Sequence, residues 1–244
     1  MLRHYGSKRT YTHNIRIAIL LSSVAGFVNA AGFLGFSALT TNVTGHAALF
    51  AEQIARQDWN SAGTVAVWML LFLAGAWSSS WIISRIGHHE RFSFAVPIFL
   101  ELMVLTFCAF YGSWREFIFS RSFFVGGLLF SMGLQNSLVS VISGSVVRTT
   151  HLTGTFTDLG IELARLKFNK AAGQGELVAK IKLHLSIVFF FMLGALFGAY
   201  LFGHILFKSF LIPVCVLCFT LFFDIFRLQV KRYYANLTYR RKSI

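Results

Sequence analysis

The sequence is poor in charge, in proline and in cysteine. Only 13% of its 244 residues are charged and nine are acidic, whereas soluble domains carry roughly 25% charged residues. With only two prolines and with 28 phenylalanines the chain is not disordered, and three cysteines are too few for a disulfide scaffold. What is abundant is apolar surface: 56% of the residues are hydrophobic and the mean hydropathy is +0.65. This composition predicts an integral membrane protein.

The three cysteines, Cys108, Cys215 and Cys218, lie in apolar stretches and are interpreted as small buried hydrophobic residues. Cys215 and Cys218 form a C-x-x-C pair, but no His, Asp or further thiol close by in sequence completes a metal site. No G-x-S-x-G, H-E-x-x-H or phosphate-binding loop occurs in the chain. We therefore predict no metal, no cofactor and no catalytic residue.

The net charge of +13 is concentrated at the ends of apolar runs and is not spread as a nucleic-acid surface. The segments long enough to cross about 30 Å of hydrocarbon are residues 16–36, 63–85, 93–112, 117–144, 183–207 and 209–227. The first segment follows a basic stretch without a cleavage pattern, so we expect it to stay in the mature protein. If the N-terminus is cytoplasmic, 18 of the 22 Lys and Arg residues lie inside. The positive-inside rule then predicts that both termini are cytoplasmic.

Four blocks of sequence recur in the same order in the two halves of the chain. The matched pairs are Gly26-Phe-Val-Asn29 with Gly133-Leu-Gln-Asn136, Thr40-Thr-Asn-Val-Thr44-Gly45 with Thr149-Thr-His-Leu-Thr153-Gly154, Phe72-Leu-Ala-Gly75-Ala76 with Phe191-Met-Leu-Gly194-Ala195, and Ser93-Phe-Ala-Val-Pro97 with Ser209-Phe-Leu-Ile-Pro213. The repeated unit is a span, a T-T-x-x-T-G segment and two more spans. Gly75 and Gly194 are typical of positions where helices pack closely.

Three crossings in each unit would turn the second copy upside down, as in many secondary transporters. We predict an all-α integral membrane protein of about six transmembrane helices, arranged as two inverted three-helix repeats that each carry a broken or re-entrant T-T-x-x-T-G half-helix. If both T-T-x-x-T-G segments cross, there are eight spans with the same division of charge, and this alternative stays open. The expected regions are a basic cytoplasmic N-terminus (1–15), repeat 1 (16–112), repeat 2 (117–227, with a basic cytoplasmic loop at 165–182) and a basic cytoplasmic tail (228–244).

The T-T-x-x-T-G segments predict helix starts, with Thr as a cap and Gly allowing close approach. Free N–H groups and about half a positive charge at such a start favour an anion or a carbonyl dipole. If the two starts converge, they form a solute site. The predicted substrate-binding residues are Asn29, Thr41, Asn42, Thr44, Gly45, His46, Asn136, Thr150, His151, Thr153 and Gly154. The alternative is structural: asparagines that hydrogen-bond between helices, and ordinary capped helix ends.

Three carboxylates are candidates for ion coupling. Glu101 lies deep in an apolar segment, where a carboxyl group is usually functional. Asp158 and Glu162 share one face of the helix after the second motif, where the first half has Leu49 and Gln53. Their structural alternatives are a favourable helix-dipole contact for Asp158 and a surface pair of Glu162 with a nearby Arg or Lys.

The sequence resembles the bacterial YoaK family of multi-pass membrane proteins, a domain-of-unknown-function group, over residues 15–225. The resemblance is carried by Gly26-Phe-Val-Asn-Ala-Ala-Gly-Phe, Thr41-Asn-Val-Thr-Gly, Gly133-Leu-Gln-Asn and Arg148-Thr-Thr-His-Leu-Thr-Gly-Thr-Phe-Thr-Asp-Leu-Gly. Asn29 departs from the Asp expected in many members. The resemblance implies an inner-membrane location and about six spans, and it supplies no catalytic or binding residue.

The leading functional hypothesis is transport of a small polar or anionic solute through a site between the two repeats. A non-transporting scaffold or regulatory partner is the second hypothesis. A membrane enzyme using Glu101, Asp158 or His151 is the third. The expected partners are the lipid bilayer, anionic headgroups at the basic tail and an unidentified small solute, with no nucleic acid. A homo-oligomer is left open, and so is a tail that is merely solvated.

Overall fold

The computed structural model describes residues 11–87, 94–114, 120–168 and 174–222, and the regular secondary structure in these ranges is helical, without strands. The helices are α1 Tyr11–Phe36, α2 Val43–Ala55, α3 Trp59–Ile86, α4 Ala95–Tyr111, α5 Arg121–Ser143, α6 Leu152–Phe168 and α7 Gln174–Ile205. Short 3-10 helices occupy Gly112–Trp114 and Leu206–Phe210. The second of these leads into a further helix, α8, which is described over residues 211–222.

Four helical stretches are long and apolar enough to cross a membrane, judged by length and composition. They are α1, α3, α5 and the stretch Gln174–Phe222, which contains α7 and α8. Helix α4 is a shorter apolar helix of 17 residues. Large apolar side chains on α3 and α7 are exposed, among them Leu70, Leu73, Leu196 and Phe197, which suits a lipid-facing surface. The structure is therefore compatible with a membrane protein.

The predicted apolar segments agree with these helices within the described residues. The five predicted spans from 16–36 to 183–207 coincide with α1, α3, α4, α5 and α7, with ends that differ by up to nine residues. The sixth, 209–227, begins in the second 3-10 helix and extends beyond the described residues. The basic tail at 228–244 lies outside the described residues, as does most of the N-terminal segment 1–15.

Helices α1 and α5 form the centre of the bundle, and α3 and α7 lie outside them. In the most apolar window of each helix, 61% of α1 and 72% of α5 is buried, against 22% of α3. The main packing partners are α1 with α7 and α5 with α3. The short helices α2 and α6 pack on α3 and α7, respectively. Each central helix thus has one long partner, which carries one short helix.

Close packing depends on glycines at the matched positions. A Cβ atom at Gly26 would lie 2.0 Å from the carbonyl oxygen of Phe191, and one at Gly133 would lie 2.2 Å from that of Phe72. Because both neighbours are backbone atoms, neither site has room for a side chain. The matched glycines Gly75 and Gly194 likewise abut the carbonyls of Phe130 and Ser23, at 2.0 and 2.1 Å. The interpretation of these two as close-packing positions is confirmed.

Several helix ends meet at one end of the bundle, which we call the Arg121 end. Arg121, at the start of α5, donates hydrogen bonds from Nε to the Phe36 carbonyl and from Nη2 to the Ser37 carbonyl (3.2 Å). Phe207, in the second 3-10 helix, contacts the ring of Phe36 at 5.2 Å between centroids. The C-terminus of α1 and the N-terminus of α5 therefore lie together, so these two central helices run antiparallel.

Candidate functional site

The first T-T-x-x-T-G segment turns back along α1 and is held by Asn29. The side-chain oxygen of Asn29 accepts hydrogen bonds from the backbone N–H groups of Thr40 and Thr41, at 3.1 and 3.3 Å. The buried hydroxyl of Thr40 donates to the Val28 carbonyl at 3.3 Å. Since Asn29 lies seven residues before the end of α1, the chain returns about 10 Å toward the middle of the bundle before α2 begins.

Helix α2 begins directly after this turn, as the motif predicts, but its cap is not a threonine. Asn42 is the N-cap, and its side-chain oxygen accepts from the Gly45 N–H at 2.8 Å. A short amide side chain in an extended backbone conformation satisfies the first-turn donor as well as Thr would, while Thr40 and Thr41 face the bundle and are buried. The expectation that Thr caps this helix is therefore wrong. His46 lies on the buried face of α2.

The second T-T-x-x-T-G segment is held in the same way by α5. The Thr150 hydroxyl donates to the Asn136 side-chain oxygen at 2.6 Å. Gln135 Nε2 donates to the Thr149 hydroxyl at 3.4 Å and to the Leu21 carbonyl on α1 at 2.9 Å. Both Asn136 and Gln135 are buried. Gln135 therefore ties the second segment to both central helices.

The two segments enter the bundle from opposite ends. Helices α1 and α5 are antiparallel, and Asn29 and Asn136 each lie seven residues before the C-terminus of their own helix. The contacts of Leu21 with Gln135 and of Gly32 with Leu128 fix the register of the two helices. In that register the asparagines lie about 10 Å apart along the bundle axis. Most motif residues at the two helix starts are exposed or half-buried, including Thr44, His151, Thr153 and Gly154. His46 is the exception and is buried.

A polar cavity of about 370 Å³ lies beside the first segment, at the Arg121 end. It is formed where α2, α3, the turn after α1 and the start of α5 meet. The residues that line it are Ser37, Ala38, Leu49, Gln53, Ser61, Thr64, Val65, Trp68, Arg121 and Ser122. The lining therefore contains one guanidinium group, an amide and several hydroxyl groups, and no carboxylate. Such a lining suits a small anion or a neutral polar solute.

The walls of the cavity are fixed by hydrogen bonds. The Trp68 indole donates from Nε1 to the Ser122 carbonyl at 3.1 Å, which joins α3 to α5. The ring of His46 packs edge-on against Trp68, with centroids 5.7 Å apart. A residue of the first motif therefore contacts a side chain that lines the cavity. Asp58 caps α3 by accepting from the Ser61 N–H at 3.0 Å. Hydrogen bonds from the side chain and the backbone of Ser61 hold the pKa of Asp58 below its ordinary value.

The corresponding place in the second half holds a side-chain pair. Glu162 on α6 and His184 on α7 stand where the first half has Gln53 and Val65, both of which line the polar cavity. Glu162 Oε2 lies 2.9 Å from His184 Nδ1, and the two side chains are only 10% and 15% exposed. Glu162 therefore pairs across helices and not with Arg165 or Lys167 at the surface.

The other two predicted coupling residues differ sharply in burial. Asp158 is exposed on α6. Glu101 is fully buried on α4, and neither of its carboxyl oxygens has a hydrogen-bond partner within the described residues. Over the same residues no group of three or more His, Cys, Asp or Glu side chains is placed to hold a metal ion.

Sequence reasoning missed the cavity and its residues. Arg121 is one of the four Lys and Arg residues that the charge division leaves outside, and a cation at the start of a span opposes the positive-inside tendency, which is a signal in its own right. Gln53 enters the sequence prediction only as the counterpart of Glu162. The contacts of Ser61, Thr64 and Ser122 depend on how three helices meet, and no local pattern carries that information.

The fold and the cavity together define a class: an all-helical protein, compatible with a membrane, with a polar chamber between its helices. The family model described as "Protein of unknown function (DUF1275)" matches residues 17–223, and the chain belongs to that family. The resemblance noted from the sequence is thereby shown at the level of a family of unknown function. No curated protein and no solved structure matches the chain.

Proposed function

We propose that this protein transports a small anionic or polar solute across the bacterial inner membrane and that the polar cavity receives the solute. One observation carries the proposal: a chamber of about 370 Å³ presents the Arg121 guanidinium and no carboxylate. Its walls come from both halves of the chain, because Gln53, Ser61 and Thr64 precede α4 whereas Arg121 and Ser122 begin α5. A site at such a boundary can open and close when the halves move relative to each other.

In this proposal the two halves are inverted repeats and both termini are cytoplasmic. The equivalent contacts of the matched glycines support the repeat. The antiparallel central helices support its inversion, since α1 and α5 are the first helices of the two units. The short helices α2 and α6 are the re-entrant half-helices. The Arg121 end then faces outward under the positive-inside rule, because only four of the 22 Lys and Arg residues, Arg56, Arg115, Arg121 and Lys208, belong to the outer segments of the sequence.

The difference between the halves supports an outward-open state. The polar cavity lies at the end that we assign to the outside, and at the corresponding place between α6 and α7 Glu162 pairs with His184. In transport by alternating access, the second chamber opens when the first closes. Separation of Glu162 from His184 would be the inner opening step.

The predicted role of the motif residues in solute binding stays a prediction. Asn29 and Asn136 already hold their own segments by hydrogen bonds, and in the proposal they position α2 and α6. The exposed residues Thr44 and Thr153 at the helix starts are then the motif side chains that meet the solute as it passes.

Arg121→Gln tests the proposal in purified protein reconstituted into liposomes. The probes are radiolabelled acetate, lactate, phosphate and sulfate, each assayed for uptake and for thermal stabilisation of the protein. We expect at least one probe to be taken up and to bind about 10- to 100-fold more weakly to the variant, because a hydrogen bond to a charged group contributes about 1.5–3 kcal/mol. No binding or uptake of any probe by the wild type would refute transport of small anions.

The matched control is Arg56→Gln. Arg56 lies at the same end of the bundle but outside the cavity, in an exposed pair with Glu52 at 2.6 Å, so uptake should be unchanged. Because Arg121 also binds the carbonyls of Phe36 and Ser37, its replacement can lower stability. Gln53→Leu changes the cavity without touching that contact, and it should weaken probe binding in protein that remains folded.

A non-transporting scaffold is the second candidate, and one observation favours it. The motif residues Thr40 and Thr149 are fully buried and bonded within the chain, as expected of packing elements. On this alternative the polar cavity is a solvated recess, and Gln53→Leu changes neither solute binding nor uptake. An enzyme has less support, since Glu101 lies on α4 whereas His151 and Asp158 lie at the start of α6 and on α6, and Glu101 has no hydrogen-bond partner among the described residues.

A further inference from the structure

Glu101 is a buried carboxyl group that has no counter-charge and no hydrogen bond within the part of the chain that the structure describes. Its side chain is 0% exposed, and both Oε atoms are without a partner among the described residues. Glu162, the other buried acid of the described chain, has His184 beside it. A carboxylate in an apolar interior is costly unless it is paired. Glu101 therefore needs a bound ion, and its surroundings indicate which one.

Helix register places a buried hydroxyl group near the level of Glu101. Helices α4 and α5 run antiparallel, with Phe107 against Phe124 and Val104 against Gly127. Continued by about one turn, this register puts Glu101 level with Phe130 and Ser131 on α5. The hydroxyl of Ser131 is also fully buried and has no hydrogen-bond partner among the described residues. This level of the interface therefore holds two buried polar groups whose hydrogen bonds are unmade.

Packing does not require a carboxyl group at this position. The matched residue of the second half is Leu217, which is also 0% exposed. A leucine of similar size fills the equivalent place, so the fold itself accepts an apolar side chain there. An acid that is retained against its desolvation penalty, where leucine would pack, indicates a chemical role.

No basic group on the neighbouring elements is close enough to neutralise Glu101. The charged and titratable groups on α4 and on the described elements packed against it are Arg85, Cys108, Tyr111, Arg121 and Lys208. Arg121 lies ten residues before Ser131 on α5, about 15 Å away along the axis, and it is bonded to Phe36 and Ser37. Arg85 lies ten residues after Gly75, which abuts Phe130, so it is also about 15 Å away along the axis, and Lys208 is exposed at the Arg121 end.

We infer that Glu101 is a proton-binding site, and that the ion coupled to solute movement is the proton. Bound, the proton makes Glu101 a neutral carboxylic acid, the form that an apolar interior tolerates. Released to water when α4 and α5 separate, it leaves a carboxylate. A hard metal cation needs about six oxygen ligands, whereas no group of three or more His, Cys, Asp or Glu side chains is placed to hold a metal ion among the described residues. The inference rests on the proposed transport function and names its coupling ion.

The test uses infrared difference spectroscopy on the full-length protein in liposomes, titrated from acidic to alkaline pH. The wild type should lose a protonated-carboxyl band as the pH rises, and Glu101→Gln should lack that band. Glu101→Leu is the fold control, because Leu217 occupies the matched place. A band of Glu101 that persists at every pH, or no band assignable to it, overturns the inference. A Glu101 band that responds to the sodium concentration but not to the pH also overturns the inference.

Solute exchange separates this inference from the proposed function. With the probe anion that the wild type accepts, Glu101→Gln should exchange labelled for unlabelled solute at an unchanged rate but lose accumulation driven by a pH gradient. Equal accumulation by the variant and the wild type refutes proton coupling while transport stands. If no probe is transported but the Glu101 band titrates, transport is refuted and proton binding stands.

Discussion

The two halves of the chain share their packing and differ in their polar chemistry. Gly26 and Gly133 meet equivalent carbonyls, and Asn29 and Asn136 hold equivalent segments. Three of the positions that differ concern the sites described above: Gln53 corresponds to Glu162, Val65 to His184, and Glu101 to Leu217. These pairs lie at the polar cavity, at the Glu162–His184 pair and at the unpaired buried acid. The shared features build the bundle, and the unmatched ones are where function is to be sought.

Replacement of the shared glycines should have the largest effect. Gly26→Ala places a Cβ atom 2.0 Å from a backbone oxygen, and separating α1 from α7 to relieve the clash should cost about 3 kcal/mol of stability. Gly133→Ala, where the distance is 2.2 Å, should behave alike. The measurement is the yield of monodisperse protein together with its thermal unfolding in detergent. The control is Gly63→Ala, which has no neighbour within 4 Å. A large difference between the two interface variants would break the equivalence of the halves.

The second test replaces Glu162 and His184 by the residues at the matched positions of the first half, Gln53 and Val65. His184→Val alone should destabilise the protein by about 1–3 kcal/mol, because it leaves the buried Glu162 carboxyl group without its partner. Glu162→Gln keeps an oxygen that accepts from His184 and should cost less. The double variant reproduces Gln53 and Val65 of the first half, so it should lose less than the two single losses combined. Thermal unfolding of the four proteins gives the coupling. Strictly additive losses would mean that Glu162 and His184 do not stabilise each other.

The two asparagines should differ by a smaller amount. Asn29 accepts from two backbone N–H groups, whereas Asn136 accepts from one hydroxyl. Asn29→Ala should therefore cost about 2 kcal/mol and Asn136→Ala about 1 kcal/mol. Hydrogen exchange should accelerate at residues 37–42 in the first variant. Asn29→Asp keeps the accepting oxygen and should protect the segment. Acceleration in the Asp variant equal to that in the Ala variant would show that the two N–H contacts do not hold the turn.

Much of the fold could be predicted because its signals are local. Apolar runs of bilayer length identified the long helices, and the repeated glycines identified the positions of close packing. The motifs predicted the starts of α2 and α6, but at α2 the cap is Asn42 and not Thr, because either residue satisfies a first-turn N–H. The polar cavity was not predictable: Gln53, Trp68 and Arg121 come together only when three helices meet. The pairing of Glu162 with His184 likewise joins residues from two helices, and no spacing rule connects them.

The smallest effect on stability is expected at the motif glycines. A Cβ atom at Gly154 has no neighbour within 4 Å, and one at Gly45 lies at an ordinary 3.5 Å from the Asn42 side chain. Gly154→Val and Gly45→Val should therefore change stability by no more than about 0.5 kcal/mol. If solute passes the starts of both half-helices, each valine blocks the approach and uptake of the probe anion is lost from folded protein. Loss of uptake in one variant alone would mean that the solute passes the start of only one of the two helices. Full uptake in both variants would mean that the solute passes neither the start of α2 nor that of α6.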